Sequence, residues 1–194
     1  MHVVMISGSR NPEGRTAGCA NAIAKGLAKA KATSELFLLP TLKLERCRQC
    51  NADGWGICRT EFRCVIEDDD FAGTVEKLKA ADAAVFLSPV YLRDLSESIR
   101  GFLDRLRRIT FRQNPRVFQG KPAVVLAMAG GGGGGTPTTS LNLETMVGMC
   151  GYDIVDVINV RRQNFDIKVP MLEMTGAWLA TKPTSGPMPP MPPR

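Results

Sequence analysis

One histidine serves the whole chain of 194 residues, and it stands at position 2, where the first apolar run begins. Hydrolases that pair a Ser or Cys nucleophile with an imidazole base need that base close at hand. His2 reads as a terminal structural residue, so that large class of enzymes is excluded. Aromatic residues are scarce too, at 6%, with two Trp and two Tyr. Nucleic-acid binders interleave basic and aromatic side chains or carry a reader motif, and neither pattern occurs. Acidic residues are outnumbered, 19 against 25 Lys and Arg, for a net charge of +6. Much of the excess lies at Arg100, Arg105, Arg107, Arg108, Arg112 and Arg116, with Arg161 and Arg162 further on. Without a reader motif, this is a solvated basic face or an anion-attracting rim, one that suits a polyanionic substrate such as a pyridine dinucleotide. No nucleic-acid partner is expected. No apolar run approaches bilayer-spanning length, and the N-terminus has neither a charged n-region nor a cleavage-like site. The expected setting is the cytoplasm, with no membrane association.

What is present is patterned. At 44% hydrophobic and 23% charged, the composition is that of a globular domain. Short continuous apolar runs mark strands buried on both faces: Val3-Val4-Met5-Ile6, Leu36-Phe37-Leu38-Leu39, Ala83 to Leu87, Ala123 to Ala127 and Ile154 to Val160. Between them, apolar residues recur at i, i+3, i+4, i+7. Ala20, Ile23, Ala24 and Leu27 predict one helix, with Thr16 as its cap. Phe71, Val75 and Leu78 predict a second, after Asp68-Asp69-Asp70, whose carboxylates favour a helix start. Ile99, Phe102, Leu103 and Leu106 predict a third, and Leu143, Met146, Val147 and Cys150 a fourth. Phe165 to Thr181 holds a last short helix. Strands alternating with helices predict an α/β domain, a doubly wound five-stranded parallel sheet with right-handed crossovers. The domain is expected over 1–182, with a Cys-rich insertion at about 44–67 and a Pro-rich tail over 183–194, extended or disordered.

Three loops sit between a strand and the next helix: Gly8 to Thr16, Ser88-Pro89-Val90-Tyr91, and Gly130 to Gly135 followed by Thr136 and Pro137. In an open parallel sheet all three leave the carboxyl edge, where such folds bind ligands. The first loop offers the hydroxyls of Ser9 and Thr16, the charges of Arg10 and Arg15, and amides at a helix start, a set that suits a phosphate. It lacks the Gly-Lys-Ser/Thr ending of a Walker loop and the G-x-G-x-x-G dinucleotide pattern. Pro89, Val90, Tyr91 and Leu92 can flank a flat ring. In the third loop, glycines starting at Gly130 and Gly131 admit close backbone approach, and Thr136 is expected to cap the helix with Pro137 at its first position.

The set Gly8-Ser9-Arg10…Thr16, Ser88-Pro89-Val90-Tyr91…Ser96…Gly101-Phe102-Leu103-Asp104-Arg105 and Gly130-Gly131…Thr138-Thr139…Leu143 resembles the NAD(P)H-dependent FMN reductase family of flavodoxin-like proteins, over roughly residues 1 to 160. The resemblance implies the strand order 2-1-3-4-5. It places the FMN phosphate on Ser9, Arg10, Arg15 and Thr16, the flavin ring beside Pro89, Val90, Tyr91 and Leu92, and the ring edge at Gly130 and Gly131. It also implies a homodimer or homotetramer. The glycine run is longer than the family's, and Arg100 stands where lysine is usual.

Cys47-Arg48-Gln49-Cys50 is followed by Cys58 and Cys64, four cysteines in eighteen positions. In a cytosolic protein such clustering points to metal or redox chemistry before structural disulfides. Thiolates alone suit a [4Fe–4S] cluster or a Cys₄ zinc site, with free or reversibly paired thiols as the other reading. Cys64-Val65-Ile66-Glu67-Asp68-Asp69 resembles the iron–sulfur flavoprotein branch of the family, with Asn51 to Ile57 inserted into the motif. Cys19 and Cys150 lie on helix faces and read as core. The expected function is an FMN-dependent oxidoreductase passing electrons from NAD(P)H to a quinone, a flavin or another acceptor, with the cysteine-bound cluster as a further station. The alternative is an iron–sulfur flavoprotein electron carrier reduced by a protein partner such as ferredoxin. A flavodoxin-like module without flavin comes third, and the three intact loops speak against it.

Overall fold

The computed structural model describes residues 1–184, so most of the expected Pro-rich tail lies outside the described residues. The five apolar runs become β1 His2–Ser7, β2 Thr33–Leu38, β3 Ala83–Pro89, β4 Pro122–Ala129 and β5 Asp153–Arg161. They pair in parallel in the order β2-β1-β3-β4-β5. Between and after them run α1 Arg15–Lys29, α2 Phe71–Ala80, α3 Glu97–Thr110, α4 Thr136–Cys150 and α5 Phe165–Leu179. β2 begins three residues before its apolar run and ends one residue early, because Leu39 opens a short 3₁₀ turn with Pro40.

Alternation along the central strands builds two cores. Val4, Ile6, Ala84, Phe86, Ala123 and Val125 face α2, α3 and α4. Their neighbours Val3, Met5, Val85, Leu87, Val124 and Leu126 face α1 and α5. Both faces are therefore covered, which is why the sequence shows unbroken apolar runs where a one-sided sheet would alternate. β5 needs one correction to this period. Ile154 and Val157 pack on the same side although three positions apart. A bulge allows it: Ala123 pairs with Ile154 and Val124 with Asp156, so Val155 is the extra residue that resets the faces.

The last helix is longer than a short terminal piece, fifteen residues through Pro170. It crosses α1 at backbone contact. A Cβ on Gly26 would lie 1.9 Å from the Glu173 carbonyl oxygen, and one on Gly176 would lie 2.1 Å from that of Ile23. Glu173 also pairs with Lys25 at 2.8 Å and with Lys29.

The aspartate triplet before α2 does more than favour a helix start. Asp69 Oδ1 accepts the Phe71 amide at 3.2 Å and Oδ2 accepts that of Glu45 at 2.9 Å. Both oxygens also meet Arg105 of α3, and the two side chains are 1% and 0% exposed. Burial alone would raise the Asp69 carboxyl; the Arg105 guanidinium and the two amides outweigh it and hold the group below its ordinary value.

Candidate functional site

The register of the sheet sets three loops side by side. Ser7 pairs with Leu87 and Pro89 with Met128, so the loops beginning at Gly8, Val90 and Gly130 leave the sheet as neighbours. The Gly8 amide donates to the Leu87 carbonyl and the Val90 amide to that of Met128, both at 2.9 Å. A cavity of about 350 Å³ opens at this edge, lined by Arg15, Thr16, Pro89, Val90, Tyr91, Met128, Gly130 and Gly131. Its size falls in the range of small-molecule sites, roughly 300–1,000 Å³.

Arg15, Thr16, Pro89, Val90, Tyr91, Gly130 and Gly131, all expected at the site, are thus gathered into one cleft. Ser9, Arg10 and Leu92 do not line it. Ser9 is buried, its amide donated to the Ser7 hydroxyl at 3.2 Å. Arg10 turns to a neighbouring cleft of about 310 Å³ with Arg46, Glu97, Ser98 and Phe102. Leu92 sits at φ 48°, fully in solvent, in a tight turn closed by the Tyr91–Asp94 bridge. Met128 is an addition; it follows from the Pro89–Met128 register, which periodicity in the sequence does not reveal.

Two caps also differ. Gly14 precedes α1 as its cap, and Thr16 is the second helical residue, buried at the cleft. At α4 the cap is Gly135, whose left-handed φ of 85° turns the chain into the helix, so Thr136 and Pro137 become its first two residues. In both helices no side chain takes the amides of the first turn. Gly135 is needed twice over, because a Cβ there would lie 2.6 Å from the Arg93 Cα. At Gly130 and Gly131 a Cβ would meet nothing within 4 Å. The protein itself leaves that space open, as a cradle for a bound plane would require.

The residues present fit FMN. Arg15, the Thr16 hydroxyl and the free amides of α1 supply phosphate donors. Pro89, Val90 and Tyr91 form a wall, and the glycines an open floor. His2, by contrast, bonds Thr33 Oγ1 at 2.9 Å at the opposite end of its strand.

Between β2 and α2 the cysteine segment folds as turns, with one 3₁₀ turn at Ile57–Arg59. Cys47, Cys50, Cys58 and Cys64 all line one narrow pocket of about 20 Å³, with Arg105 and Arg108 in its wall. All four are free thiols. Arg108 Nη1 donates to the Gly54 carbonyl at 2.6 Å and its guanidinium stacks on Trp55 at 4.9 Å, fastening the segment to α3. As a donor set these thiols suit a cluster, and they share one pocket. Among the described residues, however, no three His, Cys, Asp or Glu side chains stand at metal-holding spacing. Cys19 and Cys150 are buried elsewhere, and burial pushes each thiol up to about 12.

A doubly wound sheet of this order, with a phosphate-ready cleft at its carboxyl edge, defines a flavodoxin-type α/β protein. The sequence model of the NADPH-dependent FMN reductase family matches residues 1–160, and the chain belongs to that family. An iron–sulfur flavoprotein of Methanocaldococcus jannaschii is 33% identical over 119 residues, 60% of this chain and 58% of that protein. An FMN-dependent NADH:quinone oxidoreductase of Bordetella avium is 37% identical over 93 residues, 43% of this chain and 46% of that one. Each match spans less than two thirds of the relative's own length. Among solved structures, an NAD(P)H:quinone oxidoreductase from Methanothermobacter marburgensis superposes with a TM-score of 0.68 at 19% identity, over 92% of this chain and 96% of that one. An archaeal flavodoxin superposes at 0.57 and 13% identity, over 93% and 99%. No helix among the described residues is long and apolar enough to cross a membrane.

Proposed function

We propose that this chain is an FMN-dependent oxidoreductase that takes electrons from NAD(P)H and delivers them to a quinone, a flavin or another acceptor. The observation that carries the reading is the single cleft in which Arg15 and Thr16 meet Pro89, Val90 and Tyr91 and the floor at Gly130 and Gly131. When bound, FMN supplies the hydride-accepting and electron-donating chemistry. The chain's part is placement. Arg15 and Thr16 hold the phosphate, and Pro89 fixes the wall's backbone. Gly130 and Gly131 keep side chains out of the plane's path. Tyr91, 60% exposed, stands at the solvent side of the cleft. No carboxylate or imidazole lines the cleft, and hydride transfer demands neither. The four cysteines form a second candidate site, with a [4Fe–4S] cluster, which would make it a redox site, as the favoured occupant and zinc, which would make it a structural one, as the lesser. The family resemblance supports a homodimer or homotetramer, and the cytoplasm is the proposed setting.

Arg15→Ala removes a charged donor worth about 1.5–3 kcal/mol, so FMN should bind about ten- to a hundredfold more weakly. Titration of flavin fluorescence measures this, and unchanged affinity would reject the phosphate assignment. The cysteine pocket favours one second reading, a carrier reduced by a protein partner such as ferredoxin. Rapid mixing with NADPH separates the two: slow flavin bleaching favours the carrier, fast bleaching the oxidoreductase.

A further inference from the structure

Among the described residues, Arg105 is the largest side chain that is fully buried. Its two terminal nitrogens are shared between the cysteine segment and Asp69, while Nε is buried without a hydrogen-bond partner among the described residues. Nη1 donates to the Glu45 carbonyl at 3.0 Å, two residues before Cys47. Nη2 reaches the Ile66 carbonyl at 3.5 Å, two residues after Cys64, and the Cys64 sulfur itself at 3.3 Å. The Asp69 carboxylate takes both nitrogens, and the Phe71 ring lies 4.0 Å from the guanidinium carbon. One planar fork thus joins both ends of a loop whose neck is also tied by the Asp70 amide donating to the Lys43 carbonyl at 2.8 Å and the Glu45 amide to Asp69, and whose body is held by Arg108 and by Arg112 over Trp55.

We infer that Arg105 is the positioning residue of the four-cysteine site: it ties both ends of the segment to α3 and fixes the Cys64 sulfur toward the shared pocket. This rests on the reading of the four cysteines as one site. The fork geometry is what makes the role specific. A lysine at 105 keeps the charge and the pairing with Asp69 but offers one point of donation in place of five N–H directions. It cannot hold Glu45, Ile66 and Cys64 together. A Cys64 thiolate bound to iron would still accept an N–H donor, and such donors orient ligands around a metal site.

The test compares wild type with Arg105→Lys. Both are reconstituted without oxygen with ferrous iron and sulfide, and iron and sulfide per chain are counted. FMN affinity is the internal control, since Arg105 does not line the flavin cleft. Wild type should load, and Arg105→Lys should load at least fivefold less with FMN affinity unchanged. Equal loading would overturn the inference and leave the cluster reading standing. If wild type takes up no iron or sulfide, the cluster reading fails, and the clamp is read on metal-free protein. Cys64 should then be alkylated at least tenfold faster in Arg105→Lys, and equal rates would overturn the inference. Should Arg105→Lys not fold, wild type carries the test. Alkylating Cys64 should shift the slowly exchanging ¹⁵N signals of the buried guanidinium and leave the other arginines in place, and an unmoved signal would overturn it.

Discussion

Arg105 and Asp69 show how much one buried pair can govern. Their side chains are essentially out of water, so removing one partner strands the other's charge or donors. Such a loss costs about 3–5 kcal/mol. The pH dependence follows from the direction of the shift. Asp69 titrates below its ordinary value of 3.8 in the fold, so its contribution is complete above that value and is lost as pH falls through the lower folded one. Asp69→Asn should therefore be destabilised by about 3–5 kcal/mol near neutral pH, with the gap from wild type closing in acid. Urea unfolding of both proteins near neutrality and near pH ~3 measures it; a gap that stays constant would mean that packing, not charge, is lost. Nothing in the sequence announced this pair. Asp69 sits in a triplet that helix electrostatics alone explains, and Arg105 in an amphipathic pattern that places charges outside. Its burial arises because three segments converge there, an event that local spacing does not encode. The phosphate donors were legible for the opposite reason: Arg15 and Thr16 lie where a strand hands over to a helix, and that junction is local.

At the level of elements, apolar period located every strand and four of five helices, because each buries a face whose spacing is written in the chain. What the period missed was the manner of contact. α1 and α5 touch through backbone at Gly26 and Gly176, and glycine adds nothing to a hydrophobic stripe, so the crossing is silent in the pattern. The bulge in β5 is silent in the same way, since one inserted residue looks like an ordinary strand position. The helix crossing makes a contrast that can be measured. Gly176→Ala would place a methyl 2.1 Å from the Ile23 carbonyl oxygen and force the helices apart, an overpacking cost of about 1–3 kcal/mol. Gly73→Ala, exposed in the first turn of α2 where a Cβ meets nothing within 4 Å, should instead stabilise by up to about 0.5–1 kcal/mol through helix propensity. Denaturant midpoints for the two variants should move in opposite directions. If both rise, α5 does not pack on α1 at backbone distance.

For the molecule as a whole, the flavin cleft is a joint among parts distant in the chain. Its walls come from residues 15–16, 89–91, 128 and 130–131, so an occupant fastens α1 to the ends of β3 and β4. A ligand that binds only the folded chain stabilises it by mass action, about 2.7 kcal/mol at a hundred times its Kd. For a chain of this length each kcal/mol raises Tm by about 2–4 °C, so FMN at that excess should lift Tm by about 5–10 °C. Arg15 is exposed and has no structural partner in the cleft. Arg15→Ala should therefore melt like wild type without flavin and gain markedly less at the same FMN concentration. That pairing separates binding from folding in one set of melts. A lower Tm for the flavin-free variant would make Arg15 part of the scaffold, and an equal gain in both proteins would move the phosphate elsewhere along the edge. Riboflavin, which lacks the phosphate, should shift wild type and Arg15→Ala alike, because only the anionic end of the cofactor distinguishes the two proteins.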